Sequence, residues 1–312
     1  MKNNPLYSVI IPHYNSSDLL VRCLASIPER EDIQVIIVDD CSDPKKVDFA
    51  HLPGRTRPYT EIYRTLKGGS AGRARNVALE YAKGKWLLFA DADDYFEKDA
   101  WNILDAYADK EADIVFFGTT SRISDTGELA NRQAHTMRLI QQYIPGDKET
   151  ENRLKFYYYA PWSKMIRREM VEAHHVRFEE IRYANDVMFS MHTALYARSI
   201  LVDVRPVYCI TEVYGSLTNI ITKDSLTVRY EEFLKRNQLL KQNGLGKYRI
   251  PTLYYFRQAI RQYGFKTFLQ FLRLARKYKN NPFIGIGHVF LHPLKHLRAN
   301  KDTSYVQYEV HE

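Results

Sequence analysis

The chain has 312 residues, 45% apolar and 26% charged, which is the composition of a globular protein with one large or two modest domains and not of a disordered one. Cys23, Cys41 and Cys209 are widely spaced with no CxxC pair, so a disulfide framework or a structural zinc site is excluded. The net charge of +8 is uneven: residues 230–312 hold 15 Lys and Arg against 5 Asp and Glu, residues 1–229 hold 30 against 32, and no acid lies between Phe233 and Lys301.

Met1–Pro5 leads into an apolar run too short for a secretory signal core. Ser8–Pro12 is a short, largely apolar run with three β-branched residues at its centre, as in a strand buried on both faces. Asp18–Ile27 has helical spacing, with Ser16, Ser17 or Asp18 as cap. Val35–Val38 is a second buried strand ending in Asp39 and Asp40, and Glu61–Tyr63 a third. Gly72–Ala82 reads as a helix with Ala74, Val77, Ala78 and Tyr81 inward. Trp86–Ala90 is a strand that again runs into acids. A helix over Asp99–Ala108 and a strand over Ala112–Phe117 follow. Residues 121–152 are polar and irregular, as in a loop or small sheet excursion. A helix over Asp186–Ala197 and a strand over Ile200–Ile210 come next. From Tyr230 the pattern is helical, broken at Gly244–Gly246, Pro251, Asn280–Pro282 and Pro293. No window approaches the roughly 18 apolar residues of a membrane span; the longest candidate, Phe283–Leu294, contains two glycines and two histidines.

Alternating strands and helices predict an α/β fold, a mostly parallel sheet flanked by helices, followed by a helical basic region. The expected divisions are 1–120, 121–229 and 230–312. Ligands bind outside the carboxyl ends of the strands in such sheets. That rule lines up Pro12–Asn15, Asp39–Asp40 and Asp91–Asp94 along one rim. Three carboxylates at Asp91, Asp93 and Asp94 repel one another unless a cation or donors sit between them, and hard divalent ions take such oxygen ligands. A solvated turn with helix-capping acids is the plainer account of this cluster.

Four strings occur in order: VIIPHYN at 9–15, IIVDDCSD at 36–43, GSAGRARNVA at 69–78 and LFADADD at 88–94. Together they resemble the family 2 glycosyltransferases, which have the GT-A fold. The resemblance is close over about 6–118 and weaker to about 220, through WSKMIRR at 162–168 and YANDVMF at 183–189. It implies that Asp40 accepts the imide N–H of a nucleotide base, that Tyr14 stacks on that base, and that main-chain groups around Pro12 and Asn15 complete the pocket. Asp39 is the better candidate for a structural acid of the pair. Arg75 is expected to reach the base or diphosphate, or else to pair with the acidic rim. Asp93 is implied as ligand of a divalent cation (Mn²⁺ or Mg²⁺), and Asp91 as contact to ribose or metal. Asp186 is implied as general base of an inverting transfer. The Glu usual before it is replaced by Asn185, which cannot act as a base. Trp162, for which packing is the plainer account, and Asn185 are candidates for the acceptor side.

Family members of this kind build bacterial surface polysaccharides, so the expected function is metal-dependent transfer of a sugar to a glycan or polyprenyl-diphosphate-linked acceptor. UDP- or dTDP-sugars are favoured as donors, with GDP open. The basic, aromatic stretch 253–278 reads either as an interfacial element for an anionic membrane, extending over 233–301, or as a helix that packs its aromatic face on the catalytic domain and solvates its charges. No nucleic-acid-binding motif accompanies it. The expected location is cytoplasmic, peripheral on the membrane's inner face. Two rivals are a sugar nucleotidyltransferase, which would carry a Gly-rich phosphate loop where this chain has HYNSS at 13–17, and an inactive α/β scaffold binding anionic membrane.

Overall fold

The computed structural model describes residues 4–212 and 222–282, in two compact units that divide between Val213 and Tyr214. In chain order the first contains β1 (Tyr7–His13), α1 (Ser17–Ala25), β2 (Ile33–Asp39), β3 (Thr60–Arg64), α2 (Ala71–Tyr81), β4 (Trp86–Phe89), β5 (Tyr95–Phe96), α3 (Ala100–Asp105), β6 (Ile114–Ile123), α4 (Ala134–Gln141), α5 (Lys148–Tyr157), β7 (Lys164–Arg167), α6 (Arg168–Ala173), α7 (Val187–Tyr196) and β8 (Ile200–Glu212). The strands form one sheet in the order β3-β2-β1-β4-β7-β6-β8-β5.

β3, β2, β1 and β4 are parallel. β7 runs antiparallel between β4 and β6, while β8 is parallel to β6 and carries β5 antiparallel on its far side. Every residue of β1 and β2 is buried, because helices cover both faces. Successive side chains alternate between two cores. Val9, Ile11, Val35, Ile37 and Leu88 pack with Leu20, Cys23 and Trp101 on one face. Ile10, Ile36, Val38, Leu87 and Phe89 pack with Ala74, Ala78 and Phe189 on the other. The sheet is mostly parallel as expected, with a reversal at β7.

Two expectations are corrected. Residues 121–152 begin with the small sheet excursion allowed for, the end of β6 and a bridge from Arg122 to Leu129, but the remainder is not a loop: it contains α4 and the start of α5, and α4 buries only Thr136, Leu139 and Ile140, too narrow an apolar stripe to stand out in a polar sequence. Tyr81 is not inward but 41% exposed, its ring stacked 3.8 Å from that of Tyr63. α1 begins as predicted, but Ser16 makes no side-chain capping bond.

The second unit holds α8 (Lys223–Gln242) and α9 (Leu253–Lys277). Thr222 and Ser225 cap α8 reciprocally. The helix runs through the division expected at 229/230, so it belongs whole to the second unit. Breaks fall at Gly244–Gly246 and Pro251 as read from the sequence; Pro293 and the candidate 283–294 lie outside the described residues. Tyr230, Leu234, Tyr255, Phe256 and Phe271 form a separate core between the two helices. The aromatic face of α9 therefore packs on α8, and Arg236 is buried there, bonded to Tyr248 O and Asn237 Oδ1. No helix among the described residues is long and apolar enough to cross a membrane.

Candidate active site

Parallel β1, β2 and β4 end at one rim, and each delivers polar residues to it. The β1 and β2 ends are sewn together first. Asp39, 1% exposed, accepts from His13 Nδ1 at 2.8 Å, from Ser42 N at 3.0 Å and from Ser42 Oγ at 2.5 Å. Burial works to raise its carboxyl, yet His13 and Ser42 together hold it below the usual carboxylate range. Asn15, in the left-handed region at φ 51°, donates its backbone N–H to Ser42 Oγ and accepts from Asp43 N through Oδ1. Asp39 and Asn15 are thus occupied in building the wall. Pro12 is buried within β1, whereas Tyr14 projects from the rim, 60% exposed.

Asp40 is held differently. Its Oδ1 accepts from Thr65 Oγ1 at 3.0 Å and its Oδ2 from Gly69 N at 3.0 Å, so each oxygen keeps a lone pair for a further donor. The Gly68–Gly69 turn lets the backbone approach: a Cβ on Gly68 would lie 3.2 Å from Cys41 Cβ. Ser70 then caps α2 by accepting from Arg73 N.

α2 positions Arg75, 5% exposed, across the rim. Its Nη2 donates to Asp91 Oδ1 at 2.5 Å and its Nη1 to Asn185 Oδ1 at 2.8 Å, with the guanidinium 5.2 Å from the centre of the Phe178 ring. The guanidinium therefore bridges the acidic rim to the loop before α7. Gly72, one turn earlier, faces Glu179 O and Asn185 Cβ so closely that a side chain there would collide with both.

Asp91, Asp93 and Asp94 place carboxylate oxygens within 4.8 Å of one another. Asp94 is 3% exposed and accepts from Thr211 N at 2.7 Å; Asp91 N donates to Tyr208 OH at 2.8 Å. Arg22 Nη2 and Thr211 Oγ1 both donate to the Asp93 backbone oxygen at 2.6 Å, leaving the Asp93 carboxylate to face the cluster. Burial and the Asp91 charge push the Asp93 carboxyl up to about 6. Burial and its two neighbours push Asp94 well above the usual range. Three hard carboxylate donors facing one another, with a single guanidinium against Asp91, suit a divalent cation of the Mg²⁺ or Mn²⁺ kind, so the residues present fit such an ion.

Asp186 stands at the start of α7 but makes no capping bond. Burial raises its carboxyl, against the pull of Arg75 and Lys164. Lys164 is buried between the rings of Phe116 and Tyr158, donates to Tyr158 O at 2.6 Å, and is pushed down to about 7 by burial against the opposing charge of Asp186. Trp162 lies between Tyr158 and Tyr208, stacked on the latter at 5.9 Å. Sequence reasoning assigned no role to Arg22, Thr65, Lys164, Tyr208 or Thr211. Lys164 stood within a quoted string. Tyr208 and Thr211 follow Asp94 by more than a hundred positions on a strand whose only local signal is β-propensity.

Residues 8–174 match the family model described as Glycosyl transferase family 2. The Bacillus subtilis glycosyltransferase EpsH is 27% identical over 214 residues, 65% of this chain and 60% of EpsH. The Staphylococcus aureus poly(ribitol-phosphate) β-N-acetylglucosaminyltransferase TarS is 26% identical over 201 residues, 63% of this chain and 34% of TarS. The chain thus spans less than two thirds of the length of these curated relatives. Among solved structures, TarS 1–349 in complex with UDP-GlcNAc superposes with a TM-score of 0.65 at 20% identity, covering 87% of this chain and 80% of that one. A Pyrobaculum calidifontis mannosyltransferase in complex with GDP-Man and Mn²⁺ gives 0.56 at 17% identity, covering 97% and 84%. These likenesses establish the GT-A fold.

Proposed function

The chain belongs to glycosyl transferase family 2, and from that premise we propose that it transfers a sugar, with inversion, from a nucleotide-diphospho-sugar to a glycan or polyprenyl-diphosphate-linked acceptor in bacterial surface polysaccharide or teichoic acid synthesis. The observation that carries this reading is the Arg75 bridge, which ties the Asp91–Asp94 cluster to the loop bearing Asp186. The buried Arg75 guanidinium thereby sets the spacing between the carboxylates on the donor side and the loop that carries Asp186.

In this reading Asp40 turns its free lone pairs to the imide of uracil or thymine, with Tyr14 as the stacking ring and the backbone at Pro12 and Asn15 as the wall. A divalent cation held by Asp93 and Asp91 would neutralise charge on the leaving diphosphate. Asp186 takes the acceptor hydroxyl proton as that oxygen attacks the anomeric carbon and the bond to the diphosphate breaks on the opposite face. Its raised pKa keeps it basic enough to hold that proton. Trp162 offers an apolar ring and Asn185 an amide to the acceptor. The enzyme works in the cytoplasm, on the membrane's inner face, through the basic stretch 233–301.

Calorimetric titration with UDP, dTDP and GDP, each with Mn²⁺ and with EDTA, tests the reading. Binding of one nucleotide that needs the metal and is lost in Asp93→Ala is the expected result. No binding by a folded protein refutes it. Binding that Asp93→Ala leaves intact removes the metal assignment.

A further inference from the structure

α9 is two helical stretches, 253–263 and 265–277, joined at Gly264. The φ of 76° and ψ of −179° there lie in a region that only glycine enters cheaply, so the bend is written into the residue type. At this bend the chain exposes apolar side chains. Ile260 is 47% exposed, Phe265 63% and Leu269 37%, the last two one turn apart on the same face. The tip is buttressed from behind: Phe265 stacks on Phe268 at 5.7 Å, Phe268 meets Phe256 at 5.6 Å, and Phe256 packs edge-on against buried Tyr230.

The charges around the tip are as distinctive as its apolar surface. α9 contains no acidic residue. Arg257, Arg261, Lys266 and Arg273 form no ion pair or side-chain hydrogen bond with any described residue. At the far end of the same helix Lys277 does have a partner, Glu231 on α8 at 3.0 Å. Arg257, Arg261 and Lys266 lie within about two turns of the Gly264 bend, and Arg273 follows further along the same helix, where Arg276 likewise has no ion pair among the described residues. A nucleic acid would satisfy the cations but offers no apolar phase for Phe265, Ile260 and Leu269. A bilayer with anionic headgroups satisfies both sets at once, cations at the phosphates and apolar groups at the acyl boundary.

We propose that the Gly264 bend is a membrane-insertion knuckle, with Phe265, Leu269 and Ile260 entering the headgroup–acyl boundary of an anionic phospholipid surface and Arg257, Arg261, Lys266 and Arg273 contacting lipid phosphates. This rests on the reading of 233–301 as membrane-facing, and narrows that contact to one bend in one helix. It is independent of the catalytic assignments.

The test uses the full chain with Phe265→Trp, titrated with vesicles of phosphatidylcholine alone and of phosphatidylcholine with phosphatidylglycerol, against the parent as fluorescence background. The expected result is a blue shift, and quenching by brominated lipid, with the anionic vesicles only, reversed by salt. Phe265→Ser should weaken vesicle partition by about tenfold, the loss of one buried aromatic side chain. Each of Arg261→Gln, Lys266→Gln and Arg273→Gln should weaken it by about fivefold. Binding to anionic vesicles with unshifted emission overturns the knuckle and leaves the membrane reading standing; no vesicle binding overturns both. Emission already blue without vesicles overturns the knuckle by showing the tip covered by protein, and light scattering then tells a second copy from the same chain. Phe265→Ser should bind nucleotide as the parent does, so a failure of the glycosyltransferase reading is seen separately.

Discussion

Asp186→Asn separates chemistry from architecture more cleanly than any other change in this protein. The substitution keeps the shape of the side chain and removes its charge. The Asp186 carboxylate accepts no capping bond and forms no ion pair with a described residue, so no such contact is lost. Burial is the main force on its pKa and raises it, with Arg75 and Lys164 pulling the other way. The sign follows: an acid whose folded pKa is raised costs stability above its unfolded pKa of about 3.9, and that cost disappears as pH falls below it. Asp186→Asn should therefore melt no lower than the parent at pH 7, and any advantage should vanish near pH 4. Transfer should respond in the opposite sense. Loss of a positioned general base slows the chemical step by about 10²–10⁴-fold, or about 3–5 kcal/mol of barrier. Nucleotide affinity should stay within about twofold, because Asp186 is not among the clustered carboxylates. Single-turnover transfer, calorimetry with the nucleotide, and thermal melts from pH 4 to 8 read the three quantities. Turnover within about tenfold of the parent would remove Asp186 as the base. A melting point several degrees lower at pH 7 would show that the carboxylate holds α7 in place.

Two further changes probe the supports of the site. Lys164→Met removes a buried ammonium whose pKa burial has lowered to about 7. The unfolded chain binds that proton up to about pH 10, so between pH 7 and 10 the parent should gain up to about 1.4 kcal/mol per pH unit over the variant, measured by denaturant melts; parallel pH profiles would refute the lowered pKa. Gly72→Ala should lower both stability and nucleotide binding, since its Cβ pushes on Glu179 O and Asn185 Cβ and thereby on the Arg75 bridge; an unchanged melting point and affinity would show that the 179–185 loop moves freely.

What could be read in the sequence was whatever is encoded by near neighbours. The fully buried runs of β1, β2 and β4 announce themselves because a strand covered on both faces needs continuous apolar residues, and the rim follows because acids gather at the ends of such strands, where donors can meet them. Asp91–Asp94 was legible as a charge cluster for the same reason. α4 was not legible, because three buried side chains suffice for a helix lying at the edge of a core.

The tertiary structure alone decided which distant groups meet. Arg75 and Asn185 are 110 positions apart, and their bond exists only because α2 and the loop before α7 cover the same face of the sheet. Thr211 reaches Asp94 across 117 positions because β8 lies between β6 and β5. The roles of Asp39 and Asp40 diverge for a similar reason: His13 and Ser42 close on one, while Thr65 and Gly69 leave the other with lone pairs to spare. Periodicity and composition report which face a residue takes, since that depends on its own segment. Which partner waits on that face depends on crossovers and strand order, which no local pattern contains.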